Sequence, residues 1–161
     1  MRFVRPNLIT CMVLLMNKKS ALALGFTLCA GFISTVSGHG NVTPQAVDTS
    51  ELPPLGEEWL EENPYRGNET AIKVGDSAYN QNCARCHGLE AISGGITPDL
   101  RKLNDETEFS SKAESDEWFM TRIRHGAVID GRVYMPPFEG ILSQEAMWAI
   151  RSYLDTRKFE E

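Results

Sequence analysis

The sequence predicts an all-α domain of about three main helices. Long loops wrap a covalently attached group, and an extended N-terminal arm precedes the whole. Three observations predict this. Apolar residues recur at three- and four-residue steps around Ala71–Tyr79, Trp118–Ile123 and Ala146–Leu154, the period of helices with one buried face. Residues 89–114 are turn-rich, with Ser93-Gly94-Gly95-Ile96-Thr97-Pro98-Asp99-Leu100 among them. A loop that long argues against a compact domain unless something else fills its centre. The first helical stretch also feeds straight into Cys83-Ala84-Arg85-Cys86-His87, a run that reads as a c-type haem attachment site.

The spacing of that run has a physical reason. Residues three and four apart on a helical turn share one face, so Cys83, Cys86 and His87 point the same way. Two thiols on that face can form thioethers with the two haem vinyl groups, and the His87 imidazole can bond the iron from one side. A thioredoxin-like pair would follow a strand, whereas a helical pattern precedes this one. A structural zinc site needs four ligands, and no second Cys/His pair exists in the sequence.

The chain of 161 residues has room for one domain and a little more. Residues 1–38 hold no Asp or Glu but carry Arg2, Arg5, Lys18 and Lys19, with apolar runs at Leu8–Met16 and Ala21–Val36. The second run ends in small residues, Val36-Ser37-Gly38, as a secretory signal peptide does. Counted from Met1 the segment has 38 residues, beyond the usual ~15–30. A start at Met16, with Met1 an over-extended start, restores the usual length. Ala21–Val36 has 16 residues, short of the ~20 of a spanning helix, so cleavage between Gly38 and His39 is expected rather than a retained anchor. Cys11 and Cys29 leave with the signal peptide. Cys83 and Cys86 then remain as the only cysteines, which leaves no structural disulfide.

The mature chain, 39–161, keeps all 22 acidic residues and 12 of the 16 basic ones, the other four being in the leader, for a formal charge of −10. That balance disfavours nucleic acid and anionic lipid and suits a partner with a basic patch.

Residues 39–67 read as an extended arm. Pro44, Pro53, Pro54 and Pro64 interrupt it, Glu57–Glu62 has room for one helical turn, and Trp59 and Tyr65 are large aromatics expected to pack on the core. The helical domain follows over 68–161. Asn68 is the expected N-cap of the first helix, with Glu69 in its first turn. Gly75 inside it marks a close helix crossing, since glycine costs about 1 kcal/mol there relative to alanine. Gly88 is the expected stop.

Arg101–Leu103 has the makings of a short turn. The second long helix is expected from Asp116 to Gly126, with Trp118 in the core and His125 at the C-terminal end, where a protonated imidazole is favoured. Tyr134-Met135-Pro136-Pro137-Phe138 follows. Its prolines stiffen the backbone around Met135, and a thioether is a good sixth ligand for haem iron. Met120 and Met147 read as ordinary helix residues. Ser143 caps the last helix, whose apolar face is Ala146, Met147, Ile150, Tyr153 and Leu154. Arg151, Arg157 and Lys158 fall toward its C-terminal half, where the dipole favours them.

Taken together, Gly75-x3-Tyr79-x3-Cys83-x2-Cys86-His87, Pro98-Asp99-Leu100, Met135-Pro136-Pro137-Phe138 and Ile150-x2-Tyr153 resemble a class I cytochrome c over about residues 68–156. The resemblance implies that Gly75 and Tyr79 meet Ile150 and Tyr153 where the first and last helices cross. It also implies that the Pro98 carbonyl accepts a hydrogen bond from the His87 ring. His39 to Thr49, with Asn63-Pro64-Tyr65-Arg66-Gly67-Asn68, resembles the cytochrome c-550 group that serves pyrroloquinoline-quinone (PQQ) alcohol dehydrogenases in Gram-negative bacteria.

That resemblance implies a periplasmic monohaem electron carrier, monomeric and not an enzyme. It would be reduced by such a dehydrogenase and oxidised by a terminal oxidase or another cytochrome. Arg101, Trp118, Arg132 and Tyr134 are candidate partners for the haem propionates. The rival reading is a haem enzyme or gas-binding sensor, which needs an open iron position that a Met135 ligand would close. A four-helix-bundle cytochrome would carry the attachment motif on its last helix, not after its first.

Overall fold

A computed structural model describes residues 43–159; the expected signal peptide, the alternative start at Met16 and the new terminus at His39 lie outside them. The architecture is mostly helical. Helix α1 spans Glu69–Asn82, α2 Ala84–His87, α3 Lys112–His125 and α4 Gln144–Leu154. Two 3₁₀ turns, Leu89–Ala91 and Leu100–Asn104, lie between α2 and α3, and a two-stranded hairpin, β1 Ala127–Ile129 and β2 Arg132–Met135, lies between α3 and α4.

The caps follow from side chains. Asn68 accepts from the Ala71 N–H and opens α1, and Ser143 accepts from the Ala146 N–H and opens α4. The apolar face of α4 is buried from Ala146 to Leu154. It crosses α1 at Gly75, where an added Cβ would sit 1.9 Å from the Ala149 carbonyl oxygen. Tyr79 and Tyr153 meet at the same crossing, their ring centroids 5.2 Å apart. Since the obstacle is backbone, Gly75→Ala must push two helices apart. We expect a loss of about 3 kcal/mol, the upper part of the usual overpacking range, read as a lowered denaturant midpoint; an unchanged midpoint would mean the crossing yields freely.

Helix α3 begins at Lys112, four residues before the expected Asp116. Ser111 caps it through the Glu114 N–H, and Glu114 reaches back to the Ser110 N–H at 2.8 Å. This Ser-x-x-Glu pattern is a capping-box signal that outweighs the lack of apolar residues in the first turn. Trp118, expected in the core, lies at the surface: it is 37% exposed, edge-on to Phe109 and stacked with Arg122. His125 ends α3, 3.7 Å from Glu139.

The hairpin was not expected. Asp130 and Gly131 both have positive φ, 50° and 74°, and the register places Ile129 opposite Arg132. An Asp-Gly pair between short apolar runs is the signal for this two-residue turn.

Residues 43–67 contain no helix or strand, so the helical turn expected at Glu57–Glu62 does not form. The segment is nevertheless tied down. Leu52 and Tyr65 are buried in the core and Trp59 packs against it. Backbone N–H groups of Leu55 and Leu60 donate to Glu145 and Gln144 at 2.9 and 2.7 Å. These side chains replace the ladder partners that an irregular backbone lacks.

Arg151 lies in the last turn of α4, as expected, and is fully buried there. Its guanidinium bonds Asp116 at 2.9 Å and Asp155 at 2.7 Å.

Candidate functional site

Cys83 closes α1, and α2 carries Cys86 and His87. Neither cysteine is in a disulfide; Cys83 is buried and Cys86 exposed. Gly88 ends the helix at φ 81°, its N–H on the Ala84 carbonyl. A Cβ there would strike the Ile92 carbonyl at 1.9 Å, so the loop after the motif folds back against it. Three bonds hold this return. Tyr79 donates its hydroxyl to the Gly88 carbonyl at 2.8 Å, and Thr97 donates to the Cys86 carbonyl at 2.7 Å. His87 Nδ1 lies 3.0 Å from the Pro98 carbonyl oxygen.

The last contact decides the chemistry of the ring. A carbonyl only accepts, so Nδ1 carries the proton and Nε2 keeps a bare lone pair, the form that binds a metal. Burial lowers the pKa of His87, against the smaller opposing effect of the Pro98 bond, so the imidazole is neutral at neutral pH.

Met135 ends β2 and is half-buried against the core cluster that includes Cys83. Its backbone is fixed from below. A Cβ on Gly126 would lie 2.3 Å from the Met135 carbonyl oxygen and 2.8 Å from the Pro136 carbonyl carbon. Beyond the two prolines, Phe138 donates its N–H to the Ile123 carbonyl at 3.0 Å.

The donor set therefore fits haem c: two unpaired thiols, an imidazole with one nitrogen already engaged, and a thioether on a stiffened strand end. Leu89, Ile92, Ile96, Val128, Val133 and Tyr134 are all more than half exposed in the loop and hairpin that flank these donors, as apolar surface awaiting cover would be. Of the residues suggested for propionates, Arg101 pairs with Asp99 at 2.7 Å, while Arg132 and Tyr134 are exposed on β2. An open cleft of about 450 Å³ lies elsewhere, between residues 59–62 of the arm and α3, and shares no residue with the motif.

Comparison with known proteins gives the family. Residues 70–154 match the family model described as cytochrome c oxidase, cbb3-type, subunit III. Cytochrome c550 of Pseudomonas aeruginosa is 53% identical over 152 residues, which span 91% of this chain and all of the relative. The chain belongs to the cytochrome c family. As a cytochrome c it carries covalently bound haem c and is a monohaem electron-transfer protein rather than an enzyme. Two quinohemoprotein alcohol dehydrogenases of Pseudomonas putida also match. ADH-IIG is 37% identical over 95 residues and ADH IIB 33% over 90, in each case 12% of the relative's length. No solved structure matches. Among the described residues, no helix is long and apolar enough to cross a membrane.

Sequence reasoning missed what surrounds the motif. The Thr97 and Tyr79 hydroxyl contacts have no spacing rule to reveal them, because they cross a loop whose path only the fold defines. The position of Gly126 beneath Met135 was hidden behind its plainer role as a helix stop.

Proposed function

We propose that this cytochrome works in the periplasm, accepting single electrons from a PQQ-dependent alcohol dehydrogenase and passing them toward a terminal oxidase. The observation that carries the partner is the pair of likenesses. One runs along nearly the whole chain to a cytochrome c550, and the other joins a shorter stretch to two quinohemoprotein alcohol dehydrogenases. A separate carrier related to a stretch of such dehydrogenases is suited to meeting one as a distinct molecule.

In this reading residues 1–38 are a signal peptide removed on export, 39–67 an N-terminal arm and 68–161 the cytochrome domain. Cys83 and Cys86 hold the haem by thioethers. His87 Nε2 and the Met135 sulfur would ligate its iron, and the Pro98 carbonyl fixes the histidine tautomer. The bound group supplies the one-electron redox chemistry. The chain would hold it through Cys83, Cys86, His87 and Met135, leave no open iron position and present a surface for brief docking.

Charge gives that surface its kinetics. Asp48, Glu51, Glu57, Glu58, Glu61 and Glu62 fall in a stretch with no Lys or Arg before Arg66. Because Leu52, Trp59 and Tyr65 belong to the packing, removing the arm would damage the core. Its charges make the cleaner probe. Stopped-flow reduction of the ferric protein by a PQQ alcohol dehydrogenase from the same organism tests the proposal. We expect a second-order rate well above that of an unrelated acidic cytochrome c, falling as salt rises. Replacing Glu57, Glu58, Glu61 and Glu62 by Gln should slow the reaction by about tenfold at low salt, a modest share of the steering range, with the haem spectrum intact. A rate no faster than that of the unrelated cytochrome would sink the partner assignment.

A further inference from the structure

Arg151 and Asp116 are both fully buried. A buried ion pair is poor evidence for stability, because desolvation offsets much of the attraction. Electron exchange makes no direct use of either residue. Their contacts show what they hold.

One set reaches the arm. Asp116 Oδ2 accepts from the Asn63 N–H at 2.9 Å and pairs with Arg66, which also bonds Asp155 at 2.6 Å. The other set reaches the Leu100–Asn104 turn. The Arg151 guanidinium donates to Asn104 Oδ1 at 3.2 Å, to Ser115 Oγ at 3.0 Å and to the Leu103 carbonyl at 3.4 Å. Ser115 donates in turn to that same carbonyl at 2.6 Å. Asn104 Nδ2 donates to the Leu154 and Arg157 carbonyls at 2.7 and 2.8 Å. Leu100 and Leu103 anchor the turn in the core. Asp99 caps it through the Arg101 N–H, and Pro98 is the next residue back, its carbonyl on His87. A 3₁₀ turn is short and tightly wound, so a clamp at its end is felt at its start.

The geometry points to Arg151 as a positioning residue for the axial histidine. By clamping the Leu100–Asn104 turn it holds the Pro98 carbonyl on His87 Nδ1, and through Asp116 it ties that hold to the N-terminal arm. The inference rests on His87 being the proposed iron ligand. A carbonyl accepting from Nδ1–H raises the basicity of the ring as a ligand, which favours ferric iron. Loosening the turn weakens this bond and shifts the balance toward ferrous iron.

The test uses the holoprotein. Ser115→Ala and Asn104→Ala each remove neutral contacts to the turn without leaving a buried charge unpaired, so they keep the test open if Arg151→Lys fails to fold. Ser143→Ala, which removes the α4 cap and so destabilises the helix, is the control for lost stability alone. We expect the turn variants to move the reduction equilibrium about threefold toward the ferrous form, or about 28 mV at 59 mV per tenfold. Exchange of the His87 Nδ1 proton, followed by NMR, should quicken by about tenfold, the reach of such supporting contacts. Ser143→Ala should change neither readout. Arg66→Gln should shift the potential in the same direction by less; no shift there would overturn the coupling to the arm. If the turn variants lose stability while potential and exchange stay at wild type, the cluster is only structural and the inference is wrong. A six-coordinate spectrum surviving in His87→Ala would instead overturn the ligation reading, and this inference with it.

Discussion

Met135→Ala removes the thioether proposed as the sixth iron ligand. The oxidised protein is expected to lose the weak near-infrared sulfur-to-iron band, and its reduction potential to fall. Axial ligands set haem potentials over a range of about 0.8 V, and methionine opposite histidine lies toward the upper end. The expected fall is on the order of 0.1 V or more. The surroundings of Met135 are the reason for confidence in a single-ligand effect. Gly126 leaves no room beneath its carbonyl, and the Phe138 N–H is fixed to Ile123. Of the other described methionines, Met120 and Met147 lie within α3 and α4 and are packed into the core. An unchanged band and potential would put another sulfur on the iron, and Met120 would be the next residue to replace; a lost band with an unchanged spin state would point to His125.

Removing both thioether positions should act on the whole fold. Cys83→Ala/Cys86→Ala protein, made without covalent haem, is expected to be largely unfolded or degraded. The core explains why. It consists chiefly of the α1–α4 crossing and a few anchors, Leu100, Leu103, Phe119, Ile123 and Phe138. The loop after α2 and the hairpin leave Ile96 97% exposed and Val133 66% exposed. These segments have little to fold against until the cofactor covers them, and apolar surface left in water adds nothing to the stability of the folded state. Circular dichroism on heating reads the outcome. A cooperative transition in the haem-free protein close to that of the holoprotein would show that the polypeptide core suffices.

Local signals account for most of what the sequence disclosed. The attachment run, the Asn68 and Ser143 caps, the glycine at the helix crossing and the apolar stripe of α4 all lie within a few residues of the feature they specify. The same kind of signal marked the hairpin at Asp130-Gly131 and the true start of α3 at Ser111. Both are written in turn and capping residues rather than in helical periodicity. What the sequence could not disclose was non-local. Arg151 looks like a solvated helix-end cation until α3 and the arm bring Asp116, Asn104 and Arg66 to it. Trp118 looks like a core residue until the register of α3 turns it outward beside Arg122. The hold of Gln144 and Glu145 on the arm backbone bridges more than 80 residues, and no pattern in the arm announces it.

The central claim is that this cytochrome is a closed one-electron carrier, with His87 and Met135 filling both axial positions. Exposure of the reduced wild-type protein to carbon monoxide at neutral pH tests it most directly. The account predicts an unchanged ferrous spectrum, since a gas must first displace a methionine held by a stiffened strand end. Rapid, stoichiometric formation of a carbon monoxide complex would contradict it and favour the open iron of a haem enzyme or gas sensor.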